Sequence, residues 1–100
     1  IIFDQIIFLE GVTGLINDDI FPGGSKRNLD FVSKFVSFSN TYTHAQKIMV
    51  ADAQTSGGLL VALPQSQVDE YVKKCSELTD LPAIQIGSFT PLSENIISVL

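Results

Sequence analysis

The chain has 100 residues, of which 45% are hydrophobic and 17% are charged. This size and composition indicate one small globular domain or part of one, and they exclude an intrinsically disordered chain. Six Lys and Arg against eleven Asp and Glu give a net charge of -5, which argues against a general binder of nucleic acid or of acidic membranes.

The apolar runs, the cysteine content and the first residue indicate the cellular environment of the chain and where it begins. No apolar run approaches the ~20 residues that cross a bilayer, so we expect a soluble protein with no membrane partner. The single cysteine, Cys75, excludes an intrachain disulfide and a zinc site built on cysteines, and it is compatible with a reducing cytosol. The sequence begins at Ile1 in an apolar segment, and we therefore expect it to start inside a longer polypeptide.

In the first half of the chain, β-branched and aromatic residues predict a strand over residues 1–4, and a weaker apolar pattern predicts a short helix over residues 9–16. Residues 21–24 contain Pro and two Gly and break this pattern. Ser25 then suits the N-cap of a mostly buried helix. The apolar positions of that helix are Leu29, Phe31, Val32, Phe35 and Val36.

Residues 37–42 predict a loop, and residues 43–46, Thr-His-Ala-Gln, match a capping box before a short helix through Ala51. After a tight turn over residues 54–58, the apolar residues 59–63 predict a central strand buried on both faces. Residues 66–78 carry apolar side chains three and four positions apart, the clearest helical pattern in the chain. Two further strands are predicted over residues 83–86 and 96–100, separated by a turn around Pro91. This order predicts an α+β, or layered α/β, fold with helices packed on a mixed β-sheet.

Few residues in this chain suit catalysis. His44 is the only histidine, and its place in the capping turn favours a solvent-exposed residue at a helix start over a catalytic group. Cys75 lies on the apolar stripe of the helix over residues 66–78, which favours a small buried hydrophobe. The pair Asp18 and Asp19 lacks the further oxygen ligands of a calcium loop and indicates a solvated turn. We therefore predict no catalytic residue and no metal site.

Two glycine-rich segments are better candidates for ligand contacts. The first glycine motif, residues 23–28, places glycine amides, a hydroxyl and two cations at a helix start, a combination that can hold an anion. The second glycine motif, residues 52–58, combines a carboxylate, an amide and hydroxyls before an apolar run. Both segments can equally be connecting turns, with Lys26 and Arg27 in solvent and polar side chains satisfying the backbone. The candidate residues are Gly23, Gly24, Ser25, Arg27, Asn28, Asp52, Gln54, Thr55, Ser56, Gly57 and Gly58.

At these two motifs the chain resembles the C-terminal part of selenophosphate synthetase, also called selenide, water dikinase. The family shows Gly-Gly-Thr-x-Arg-Asn and Asp-Pro-Gln-Thr-Ser-Gly-Gly-Leu-Leu, and this chain reads Gly-Gly-Ser-Lys-Arg-Asn and Asp-Ala-Gln-Thr-Ser-Gly-Gly-Leu-Leu. The resemblance extends over essentially the whole chain. Ser25 in place of Thr keeps the hydroxyl, and Ala53 in place of Pro loosens the turn.

The resemblance implies an ATP-dependent enzyme of the aminoimidazole ribonucleotide synthetase superfamily. Such an enzyme makes selenophosphate, AMP and phosphate from selenide, ATP and water with Mg²⁺, and it is a cytoplasmic homodimer. Its reactive Cys or selenocysteine, the neighbouring Lys and the metal-binding aspartates lie upstream of the part matched here. Residues 1–100 are thus expected to be part of the C-terminal domain, a three-layer α/β/α unit with partial ferredoxin-like character. We expect these residues to lack the N-terminal catalytic domain, and we expect no ligand on the fragment and no activity from it alone.

Two other functions remain open. Another superfamily enzyme, such as a thiamine-phosphate kinase or a hydrogenase-maturation protein, shares the fold, and the first glycine motif separates it from selenophosphate synthetase. A non-catalytic paralogue that acts in dimerisation or partner binding would lack the reactive Cys or selenocysteine upstream.

Overall fold

Four α-helices and a two-stranded sheet make up the regular structure in a computed structural model that describes residues 1–92 and 94–100. The elements are α1 (Val12–Asn17), α2 (Gly23–Val32), β1 (Val36–Phe38), α3 (His44–Val50), α4 (Val68–Leu78) and β2 (Ile97–Val99), with 3-10 helices at Phe3–Gln5 and Gln65–Gln67. The predicted α+β class is confirmed. No helix in the described ranges is both long and apolar enough to span a membrane.

The sheet joins distant parts of the chain. β1 and β2 are parallel, with Val36 opposite Ile97 and Phe38 opposite Val99, so the connection between them must cross over the sheet, and it contains α3 and α4. The first residues extend this arrangement, because Leu100 N–H donates to the Ile1 carbonyl at 2.9 Å and Ile2 N–H donates to the Ile86 carbonyl at 2.7 Å.

Strands were predicted over residues 1–4, 83–86 and 96–100. Of these three, the structure contains only the last, as β2. Residues 1–4 bond as an extended segment only up to Phe3, where a 3-10 helix begins. Residues 83–86 form no strand and meet the N-terminal segment through the single backbone bond at Ile86. Whether each segment forms a strand depends on hydrogen-bonding partners from distant segments, so the local β-propensity of the segment does not determine it.

The core lies between the first three α-helices. Ile16 of α1, Leu29 of α2, and Ile48 and Met49 of α3 form one buried cluster, and Ile48 is completely buried. Half-buried apolar residues surround this cluster, among them Phe8, Val12, Phe21 and Phe38. This core fixes α2 and α3 against each other, and the two glycine motifs lie where those helices begin and end.

The structure corrects the prediction for α2 at both ends. The helix begins at Gly23 with Pro22 as its N-cap, three residues before the predicted N-cap Ser25. The ring of Pro22 fixes φ at −63°, and its ψ of 141° is the extended conformation typical of an N-cap. The helix ends at Val32, and the chain turns to place β1 beside β2. Phe31 and Phe35 consequently remain 67% and 38% exposed, so the expectation of a mostly buried helix was wrong.

The apolar run over residues 59–63 was predicted as a buried central strand, and this prediction was wrong. Residues 59–63 form no regular structure, and Leu59 and Leu60 are 92% and 80% exposed. A central strand needs hydrogen-bonding neighbours on both sides and packing on both faces. Within the described residues, the sheet consists of β1 and β2, and no backbone hydrogen bond joins it to residues 59–63.

The two later helices follow their sequence signals. The capping box before α3 is confirmed, since Gln46 N–H donates to Thr43 Oγ1 at 3.2 Å and Thr43 N–H donates to Gln46 Oε1 at 2.9 Å. The helix predicted over residues 66–78 is confirmed as α4. Its apolar stripe is at best half-buried, at Val68, Val72 and Cys75, so α4 has an apolar side without a packed core against it.

Candidate functional site

The two glycine motifs meet where the first turn of α2 lies against the end of α3. The Ser25 hydroxyl donates a hydrogen bond to Oδ1 of Asp52, across 27 residues of sequence. Asn28 Nδ2 donates to the Ala51 carbonyl at 3.2 Å. Ala51 is the C-cap of α3, so the second glycine motif begins where that helix stops. The sequence located both motifs but not their contact.

Ser25 is the buried polar residue at this contact, with 0% of its surface exposed. A buried hydroxyl that lacks a partner costs free energy, and the Asp52 carboxylate supplies the acceptor. Asp52 is itself half-buried. Ser25 therefore faces the second motif from inside α2, and it does not cap the helix as predicted.

The backbones of the two motifs also come close together. A Cβ placed on Gly24 would stand 3.8 Å from Cβ of Ala53, which is ordinary van der Waals contact. A Cβ placed on Gly23 would stand 3.5 Å from a guanidinium nitrogen of Arg27, so the Arg27 side chain folds back beside the start of α2. Lys26 and Arg27 are exposed and form no ion pair within the described part of the chain. Their charge lies at the helix end where the peptide dipoles also favour anions.

The rest of the second motif is an exposed loop. Ser56 adopts a left-handed conformation with a φ of +54°, which bends the chain between Thr55 and Gly57. The Gln54 side chain lies over Gly57, where an added Cβ would come within 3.0 Å of the Gln54 Cβ. The polar groups of this loop and the exposed Gly58 therefore face solvent beside the buried Ser25–Asp52 contact.

An apolar cavity of about 320 Å³ adjoins the contact between the motifs. Asn28 and Asp52 supply polar groups to its wall. Its other lining residues are mainly apolar and come from both ends of the chain: Ile1, Phe31, Val32, Val36, Phe38, Val50, Ala51, Ile97 and Val99. Neither this cavity nor the Ala51 carbonyl has a local sequence signal, because both arise only when α2, α3 and the sheet are assembled.

The remaining candidates lie away from this contact. His44 is exposed at the first position of α3, as predicted. Cys75 is half-buried on α4, and its hydrogen bond with Tyr71 raises the pKa of the Tyr71 phenol. Within residues 1–92 and 94–100, no three His, Cys, Asp or Glu side chains converge as metal ligands would.

The chemistry available at the motif contact is that of binding. The amides at the start of α2, the Arg27 guanidinium and the exposed polar loop over residues 54–58 are donors suited to phosphate oxygens. The nearby carboxylate, Asp52, already accepts the Ser25 hydroxyl. The hydroxyl of Ser25 does lie beside a carboxylate, but Ser25 is completely buried. The exposed groups of the arrangement therefore suit holding an anionic group.

These observations describe an α+β chain in which two glycine motifs meet, and comparison with known proteins adds specific relatives. The chain is 37% identical over 86 residues to a selenide, water dikinase of Carboxydothermus hydrogenoformans. This match covers 86% of the chain and 25% of the relative. It is also 34% identical to the selenide, water dikinase of Sulfurimonas denitrificans, in a match that covers 98% of this chain and 27% of the relative. The identity to the selenide, water dikinase of Clostridioides difficile is likewise 34%, and that match covers 96% of this chain and 28% of the relative.

The chain thus spans about a quarter of the length of the curated relatives it matches. No protein-family model matches the chain. No solved structure matches it significantly.

Proposed function

We propose that this chain is part of the C-terminal domain of a selenide, water dikinase, the enzyme that makes selenophosphate, AMP and phosphate from selenide, ATP and water. The observation that carries the proposal is the contact between the two glycine motifs. The same two segments carry the family resemblance, and in the fold the Ser25 hydroxyl of the first meets the Asp52 carboxylate of the second. Similarity to relatives with that name over 86% to 98% of the chain supports the same function.

In this enzyme the two motifs would line the phosphate side of the ATP site. The start of α2 carries Gly23, Gly24 and the folded-back Arg27, and the loop over residues 54–58 carries exposed polar groups next to it. Amides and a guanidinium recognise phosphate oxygens by hydrogen bonds and charge. The motifs would bind and orient the substrate, and the bond-breaking groups would lie in the rest of the enzyme.

The described residues do not fit a Mg²⁺ site of their own. Mg²⁺ prefers oxygen ligands, usually carboxylates and water, in an octahedral arrangement. Here the nearest carboxylate, Asp52, is engaged by Ser25, and no acidic cluster accompanies it among the described residues. We therefore assign Mg²⁺ binding, like the reactive Cys or selenocysteine, to the rest of a homodimeric, cytoplasmic enzyme.

Phosphorus NMR tests the function directly. The full-length parent is incubated anaerobically with ATP, Mg²⁺ and selenide, and the 100-residue chain serves as the control. Selenophosphate and AMP from the parent but not from the chain are expected. ATP left untouched by the folded parent would indicate a non-catalytic paralogue. ATP consumed without selenophosphate would indicate a relative of the thiamine-phosphate kinase or hydrogenase-maturation type.

Calorimetry tests the binding role of the first motif. Arg27→Ala in the full-length parent removes the guanidinium beside the start of α2 and is expected to weaken ATP binding about tenfold, the effect of one lost charge-assisted hydrogen bond. Lys26→Ala removes the same charge from the neighbouring position and is the matched control, with a smaller expected loss. An unchanged affinity of Arg27→Ala for ATP would indicate that the first glycine motif has a structural role and does not bind phosphate through Arg27.

A further inference from the structure

We propose that Ser25 and Asp52 form a latch that positions the loop over residues 54–58 against the start of α2, and that neither side chain is a ligand contact. The functional part of this inference rests on the proposed function. The latch itself stands on the geometry alone. Ser25 and Asp52 are thus positioning residues, and substrate contacts are left to groups such as Arg27.

The burial of Ser25 carries the first step. With 0% of its surface exposed, Ser25 offers no hydroxyl to a ligand in solvent. Its hydroxyl already donates to Asp52 Oδ1, which belongs to the second motif. A serine at this helical position is therefore explained by its partner across the motifs.

The position of Asp52 carries the second step. Asp52 follows Ala51, the C-cap of α3, so its anchor lies at the point where the loop leaves a helix packed in the core. Asn28 Nδ2 holds the Ala51 carbonyl at 3.2 Å one residue earlier. Two hydrogen bonds from α2 thus hold residues 51 and 52, and Gly24 meets Ala53 directly after them. Beyond Ala53 the loop is exposed, so its placement depends on this anchor.

Substitutions at both partners separate a latch from a ligand contact. Ser25→Ala removes the donor and Asp52→Ala removes the acceptor, whereas Asp52→Asn keeps an oxygen that can accept from Ser25 and removes only the charge. Ser37→Ala is the matched control, because Ser37 Oγ also donates across elements, to Ser98 Oγ at 3.1 Å, but does so in the sheet. All variants are made in the full-length parent.

Two measurements are taken on each variant. Limited proteolysis with thermolysin, which cleaves before apolar residues such as Leu59, reports the placement of the loop over residues 54–58, and steady-state kinetics report KM for ATP separately from kcat. Ser25→Ala and Asp52→Ala are each expected to speed cleavage at this loop about tenfold and to raise KM about fivefold, with kcat changed less. Their double variant should be no worse than the more affected single variant. Asp52→Asn should disturb both readouts less than Asp52→Ala, and Ser37→Ala should leave both unchanged.

The latch is overturned if the two single effects add in the double variant, or if the cleavage rate at the loop over residues 54–58 does not change. An Asp52→Asn variant as impaired as Asp52→Ala would also overturn it, because the carboxylate charge would then act directly on a ligand. Absence of ATP turnover in the wild-type parent would refute the proposed function and not the latch. In that case the cleavage rates and their non-additivity decide whether the latch exists.

Discussion

The helices α3 and α4 both have clear sequence signals, yet their surroundings in the fold differ. α3 begins with a complete capping box and buries Ile48 and Met49 in the core. α4 has a regular apolar stripe and ion-paired polar positions, yet no residue of it is buried. Local patterns therefore determined that both segments are helical, and only the neighbours that the chain places beside them determined how much apolar surface each removes from water.

The two glycine motifs and residues 59–63, which follow the second motif, differ in burial in the same way. Residues 23–28 and 52–53 lie beside the packed helices and are held by hydrogen bonds between elements. Residues 59–63 are more apolar, but all of them except the half-buried Leu63 are exposed. Burial in this chain consequently follows position relative to the core made by α1, α2 and α3, and does not follow hydrophobicity alone.

The largest expected effect comes from removing a core side chain. Ile48→Ala is expected to lower the free energy of unfolding by about 2–5 kcal/mol, because it removes buried methyl groups and leaves a cavity. Leu78→Ala in α4 is the matched substitution, and since Leu78 is 81% exposed it should change stability by less than about 0.5 kcal/mol. Denaturant unfolding measures both. Equal losses would show that α4 is packed as tightly as α3.

The capping box of α3 is expected to have the next largest effect. Thr43→Ala removes the acceptor of the Gln46 N–H and is expected to cost about 1 kcal/mol of stability. Thr13→Ala, at an exposed position inside α1, is the control and should have little effect because it removes no cap. Thermal unfolding followed by circular dichroism compares the two variants. A Thr43→Ala loss no greater than that of Thr13→Ala would mean that tertiary packing alone holds the start of α3.

Two adjacent glycines test the loop that follows the packed region. Gly58→Ala is expected to stabilise the protein by about 0.4–1 kcal/mol, because an added Cβ meets nothing within 4 Å and the unfolded chain loses freedom. Gly57→Ala must displace the Gln54 side chain and should be less stable than Gly58→Ala by about 0.5 kcal/mol. Denaturant midpoints of the two variants give the difference. Identical midpoints would show that the Gln54 side chain moves away from residue 57 with no loss of stability.

The smallest expected effect is that of an ion pair on α4. Lys74 Nζ lies 2.7 Å from Glu70 Oε1, with both side chains about two-thirds exposed at 65% and 68%. A double-mutant cycle with alanine should give a coupling of about 0.3–0.5 kcal/mol that shrinks as salt is added. The pair Lys73 and Glu77, at 3.9 Å, should couple less strongly. A coupling above about 1 kcal/mol would indicate a less solvated α4 than the structure has.

Prediction from the sequence succeeded where the signal was local. Thr43 and Gln46 lie within one helical turn of each other, so their reciprocal bonds follow from spacing. The prediction failed for Ser25, whose partner is 27 residues away. It failed as well for residues 59–63, because apolar composition suits a buried strand but does not supply the neighbouring strands. The candidate site was located through its motifs, while the roles of its residues depend on contacts that spacing does not reveal.

The sequence by itself determined the α+β class, the capping box of α3, the helix α4 and the location of the two glycine motifs, because these depend on residues a few positions apart. Only the tertiary structure decided that α2 begins at Gly23 and ends at Val32, that Ser25 meets Asp52, and that residues 59–62 remain exposed. These outcomes depend on contacts between segments far apart in the chain. Such contacts form when the packing of one core places those segments side by side, and no local propensity encodes that placement.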